Sequence, residues 1–104
     1  MGRKVIWSPP ALNALESIGD YIAKDSKRNA VTLVDDVLQL ASSLVQFPER
    51  GRVVPEIHEP TLREVFVKRY RLIYEITEQT IEIIAVIHMS RNFMNAWDER
   101  NSEI

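Results

Sequence analysis

The sequence predicts an α+β fold in the order β-α-α-β-β-β, an antiparallel sheet with an N-terminal helical hairpin packed on one face. Three observations predict it. Tyr70 to Thr77 alternates apolar and polar with period two, as a strand with one buried face does. Ile81 to Met89 is dense in branched apolar residues, as a strand buried on both faces is. Two earlier stretches carry apolar residues at three- and four-residue spacing, the mark of amphipathic helices.

Lys4 to Trp7 is a short apolar strand. Ser8 stands as N-cap before Pro9, which sits where a helix needs no N–H. Ala11, Leu12, Ala14, Leu15, Ile18, Tyr21 and Ile22 then define a first helix to about Lys24, with Gly19 marking weakness or a close approach. Ser26 caps a second helix carrying Ala30, Leu33, Val34, Val37, Leu38, Ala41, Leu44, Val45 and Phe47, which Pro48 stops. The short break between them makes a helical hairpin. Glu49 to Leu62 is irregular, because Gly51, Pro55 and Pro60 forbid a long element. Three strands follow to Arg91. Phe93, Met94 and Trp97 then form the apolar side of a short helical turn, with a frayed end from Asp98 to Ile104.

A chain of 104 residues with 45% hydrophobic and 27% charged residues is one globular domain, 1–104. Its helical hairpin spans about 9–47, its C-terminal sheet about 63–91 and its tail 92–104. It has no cysteine, which excludes disulfides and thiol chemistry, and no apolar run of membrane-spanning length. His58 and His88 are the two histidines, no carboxylate cluster stands beside either and no ligand spacing is visible, so neither a metal nor a cofactor is expected. Net charge is −2, yet Arg63, Lys68, Arg69 and Arg71 face Glu64 alone between residues 63 and 71, a local +3 that leaves −5 elsewhere. A basic site on an acidic body suits a local anionic ligand; cations that only keep a sheet edge soluble are the plainer reading.

The turns set the expected register. A turn at Lys68-Arg69 pairs Val67 with Tyr70, Val65 with Leu72 and Phe66 with Arg71. A turn at Glu78-Gln79 pairs Ile76 with Ile81, Tyr74 with Ile83, Leu72 with Ala85, Arg71 with Val86 and Arg69 with His88. Arg71 and His88 then share the open face with Phe66, about 7 Å apart along the strand. Paired donors on Arg71 and Arg91 suit phosphate oxygens, and a histidine can give or take a proton near neutral pH. The competing structural readings make His88 a hydrogen-bonded cap, pair Arg71 with Glu75 or Glu82, place Tyr74 in the core, and use Phe93, Met94 and Trp97 to seal its edge.

From the first strand to Phe93 the chain resembles the RelE/ParE superfamily of bacterial toxins. The carriers are Arg63-Glu64, Tyr70-Arg71-Leu72-Ile73-Tyr74, and Val86-Ile87-His88-Met89-Ser90-Arg91, whose H-x-x-R ending is common in the ParE-like branch. The resemblance implies a cytoplasmic toxin neutralised by a cognate antitoxin in a hetero-oligomer, the antitoxin's C-terminal segment wrapping the toxin and often adding a helix or strand. The antitoxin is expected to bind the helical hairpin or the sheet edge, with Phe93, Met94 and Trp97 as candidate contacts. It implies one of two targets. ParE-like members poison DNA gyrase without an established catalytic residue. RelE-like members cut messenger RNA on the ribosome, which would make His88, Arg71 and Arg91 catalytic. Arg63, Lys68, Arg69 and Arg71 are the expected target or phosphate contacts in either case. The acidic balance and the lack of a tyrosine after the last strand favour the ParE-like branch. A weakly toxic member acting mainly in the antitoxin complex and in autoregulation is a third reading.

Overall fold

The computed structural model describes residues 2–101. Strand β1 (Lys4–Trp7) leads into α1 (Pro9–Ala23) and α2 (Lys27–Ser43), then a single 3₁₀ turn at Pro48–Arg50. Strands β2 (Arg52–Val53), β3 (Leu62–Val67), β4 (Tyr70–Ile76) and β5 (Thr80–His88) follow, and α3 (Phe93–Asn101) closes the described chain. The sheet order is β1-β5-β4-β3-β2. It is mixed rather than wholly antiparallel, because β1 runs parallel to β5.

Both helix caps form as their chemistry dictates. The Ser8 hydroxyl accepts from Ala11 N–H at 3.3 Å and the Ser26 hydroxyl from Asn29 N–H at 3.1 Å. Helix α2 ends at Ser43, five residues ahead of Pro48, with Leu44 as its C-cap. Gly19 marks a close approach, since a Cβ there would lie 3.3 Å from Val34 Cγ2. Ala11, Leu15, Leu33, Val37, Ala41 and Leu44 pack on Val65, Val67, Leu72, Tyr74, Ile81, Ile83 and Val86, so the hairpin covers one sheet face as expected.

The β3–β4 pairing follows the expected register from Val65–Leu72 to Val67–Tyr70. Lys68, first residue of the two-residue turn, adopts φ 52°, a left-handed conformation that glycine or asparagine would take more easily. The β4–β5 pairing holds only at its turn end, where Ile76 faces Ile81 and Tyr74 faces Ile83. Between Ile73 and Tyr74 the register shifts by one, leaving Ile84 as the additional residue of a bulge. Beyond it, Leu72 faces Val86 rather than Ala85, Arg71 faces Ile87 rather than Val86, and His88 faces Tyr70 rather than Arg69.

The second sheet face is not free. Val54, Ile73, Ala85, Ile87, Phe93 and Ala96 form a smaller core there, with Ile57, Leu62 and Trp97 at its margin. The loop after β2 and helix α3 cover it. Burial on both sides explains why Ile83–Ile87 is apolar throughout. The fraying expected from Asp98 is not seen through Asn101, and the last three residues lie outside the described part.

Candidate functional site

Residues paired across a ladder project on the same face. His88 therefore shares the face of Tyr70, toward the helical hairpin, and Arg71 shares the face of Ile87, toward α3. The sequence expectation that Arg71 and His88 occupy one working surface is overturned by the single extra residue at Ile84.

Arg71 is held by two carboxylates. Its Nε donates to Glu64 Oε1 at 2.6 Å, while NH1 and NH2 donate to Glu56 Oε2 and Oε1 at 3.1 and 2.7 Å. Its guanidinium carbon lies 4.4 Å from the centre of the Phe93 ring. The side chain is only 11% exposed. The hydrogen bonds to Glu56 raise the Arg71 pKa further, and those same bonds lower that of Glu56. Glu64, fully buried at its side chain, also accepts from Arg52 Nε at 2.6 Å. Arg71 thus clamps β3, the loop after β2 and α3 together, and its partners are Glu64 and Glu56 rather than Glu75 or Glu82. The first partner was legible: Glu64 lies on the face of Phe66, diagonal to Arg71 across the ladder. Glu56, reached through an irregular loop, left no such signal.

Arg63 is likewise engaged, donating to Pro60 C=O at 3.1 Å and Gly51 C=O at 3.1 Å. Arg91 pairs with Glu99 of α3. Lys68 and Arg69 differ: both are exposed at the hairpin tip, and neither side chain has an ion pair among the described residues. The tip is seated against the end of β5, with Met89 N–H donating to Arg69 C=O at 2.8 Å.

At that end of the sheet, His88 Nδ1 accepts from Ser90 N–H at 3.0 Å and lies 2.7 Å from the Ser90 hydroxyl. A backbone N–H can only donate, so the neutral ring carries its proton on Nε2. In this arrangement His88 is a hydrogen-bond donor, and its remaining nitrogen is no base. Its ring stands edge-on to Tyr70, with centroids 5.1 Å apart, and burial raises the Tyr70 pKa.

Tyr74 lies in the core, where its hydroxyl donates to Pro48 C=O at 2.7 Å and accepts from Gly51 N–H at 2.9 Å. Phe93 is buried and stacked on Trp97 at 5.6 Å, so both look inward, while Met94 is 43% exposed. Of the three residues assigned to an antitoxin, Met94 alone is largely open to one. Among the described residues no cluster of three or more His, Asp or Glu gathers as metal ligands, and no helix is long and apolar enough to cross a membrane.

This fold is shared with known proteins. In the solved structure of the chromosomal ParDE TA system from P. aeruginosa, one chain superposes with a TM-score of 0.70 at 19% identity, covering 85% of this chain and 97% of that one. Toxin RelE2 of Caulobacter vibrioides is 34% identical over 89 residues, 85% of this chain and 97% of the relative. Protein Y4kP of Sinorhizobium fredii is 32% identical over 91 residues, 85% of this chain and 91% of the relative. Residues 5–93 match the family of the ParE toxin of the type II toxin–antitoxin system parDE, and the chain belongs to that family.

Proposed function

We propose that the protein is a cytoplasmic toxin that arrests growth by binding DNA gyrase and is neutralised by a cognate antitoxin. One observation carries the choice of a binding mechanism over cleavage: the residues a nuclease would use are dispersed. Arg71 and His88 lie on opposite sheet faces, and Arg71 spends its donors on Glu64 and Glu56. His88 offers a donor rather than a base. General acid–base cleavage needs both proton roles and a cation converging on one phosphodiester. Lys68 and Arg69, exposed at the tip, are the cations free to meet an anionic target surface.

The test is a supercoiling assay with purified toxin freed of antitoxin. Inhibition, or trapped cleaved DNA, is expected at micromolar toxin; no effect at that concentration refutes the gyrase target.

The runner-up is ribosome-dependent messenger RNA cleavage, which the name of the 34% identical Toxin RelE2 favours. It predicts that His88→Ala and Arg71→Ala abolish cleavage of ribosome-bound message while sparing antitoxin affinity. An inert wild type in that assay removes it. A toxin silent in both assays that still binds its antitoxin would be the weakly toxic, autoregulatory member.

A further inference from the structure

Strand β2 pairs with β3 only at Arg52–Glu64 and Val53–Arg63, so β3 beyond Glu64 is an open edge of the sheet. The two-residue turn makes Val67 and Tyr70 a hydrogen-bonded pair, and Phe66 therefore turns its N–H and C=O away from β4. Neither group has a partner among the described residues.

The Phe66 side chain is also left open. Its cross-strand partner Arg71 is buried against Phe93, yet Phe66 itself is 45% exposed. The ring is backed rather than loose. The Arg52 guanidinium carbon lies 5.2 Å from its centre, and Glu64 holds that guanidinium through Nε. An exposed aromatic fixed in this way has little freedom left to lose on binding, which is what an interface anchor requires.

Charge gives the partner its sign. Lys68 and Arg69 follow at the tip without ion pairs, while Glu64 and Glu56 already serve Arg52 and Arg71. The surplus at the tip attracts carboxylates, and the −5 carried by the rest of the chain turns away a long polyphosphate. A bare N–H and C=O on one strand residue match an extended polypeptide; an α-helix has spent those groups internally.

We infer that the target meets this chain through an acidic, extended protein segment that adds to β3 at Phe66, lays an apolar side chain on the ring, and sets carboxylates against Lys68 and Arg69. The inference rests on the gyrase-binding reading above and names the surface that carries it.

The test uses the full toxin, freed of antitoxin, and intact gyrase, with both rate constants followed by surface plasmon resonance. Phe66→Ala is expected to raise the dissociation rate about tenfold or more, and Phe66→Trp to keep it near the wild-type value, because an anchor sets residence time. Arg69→Glu should instead slow association by about tenfold at low salt, an effect that fades as salt rises. Melting temperatures should stay close to wild type, since Phe66 and Arg69 are exposed. Wild-type binding with unchanged dissociation in Phe66→Ala overturns the surface and spares the target; no wild-type binding overturns both. Should Phe66→Ala fail to fold, Arg69→Glu decides, and unchanged association there overturns the inference. A labelled oligothymidylate that binds wild type but not Phe66→Ala would assign the surface to single-stranded nucleic acid and overturn it as well.

Discussion

Arg71 Nε lies 2.6 Å from Glu64 Oε1, and the Glu64 side chain is closed to solvent. Removing Arg71 leaves Glu64 in a low-dielectric interior with the Arg52 Nε bond as its one remaining ion pair among the described residues. Arg71→Ala is therefore expected to lose about 3 kcal/mol of stability. Replacing both, as Arg71→Met with Glu64→Leu, should recover a large part of it. Urea denaturation of the two single variants and the double variant measures this. Restored folding without restored toxicity would assign Arg71 a role in target binding as well.

Tyr74 makes a prediction in alkali. Burial raises its pKa above the ordinary tyrosine value, so the fold favours the neutral phenol. That stabilisation is fully present below the unfolded value near 10 and is lost as pH rises through the folded one. Tyr74→Phe removes the bonds to Pro48 and Gly51 and should cost about 1–3 kcal/mol at neutral pH. It should also flatten the alkaline limb of a stability-against-pH curve. An unchanged limb would move the alkaline sensitivity elsewhere.

Gly51 is fixed by space. A Cβ there would sit 2.5 Å from Glu64 C=O oxygen and 2.7 Å from the Tyr74 hydroxyl. The backbone of β3 cannot retreat without breaking its ladder, so Gly51→Ala is expected to destabilise by about 2–3 kcal/mol. Thermal unfolding of the variant, alone and combined with Tyr74→Phe, tests whether the two share one cause. Additive losses would mean that they do not.

At Lys68 stability and function are expected to diverge. A lysine at φ 52° is strained, and Lys68→Gly should raise stability by about 0.5–1 kcal/mol, the relief being partly offset by glycine's chain entropy. The same change removes one of two unpaired tip cations and should weaken target binding. Melting temperature and supercoiling inhibition, measured on one preparation, are expected to move in opposite senses.

The elements were legible because each had a local cause. Ser8 and Ser26 cap, Pro9 starts, and the apolar spacing of Ala11 to Ile22 selects a face. The Lys68-Arg69 turn carried β3–β4 into register, since alternation in Tyr70–Ile76 leaves one phase. Ile83–Ile87 had no phase to read. A strand apolar on both sides accepts an extra residue without exposing anything, so Ile84 was invisible and everything beyond it inverted. The cover on the second face was hidden too: Phe93, Ala96 and Trp97 gave a helical stripe, but nothing local said which surface it would meet. The Glu49–Leu62 segment concealed both β2 and Glu56 for the same reason, its structure being imposed from outside.

Ile84 has one more consequence. Losing that one residue would close the bulge and leave the imidazole opposite Tyr70, whereas the same residues paired without a bulge would set it opposite Arg69, on the face of Arg71. The presence of a bulge, rather than the identity of any side chain, therefore decides whether the basic and titratable groups of this sheet stand together or apart.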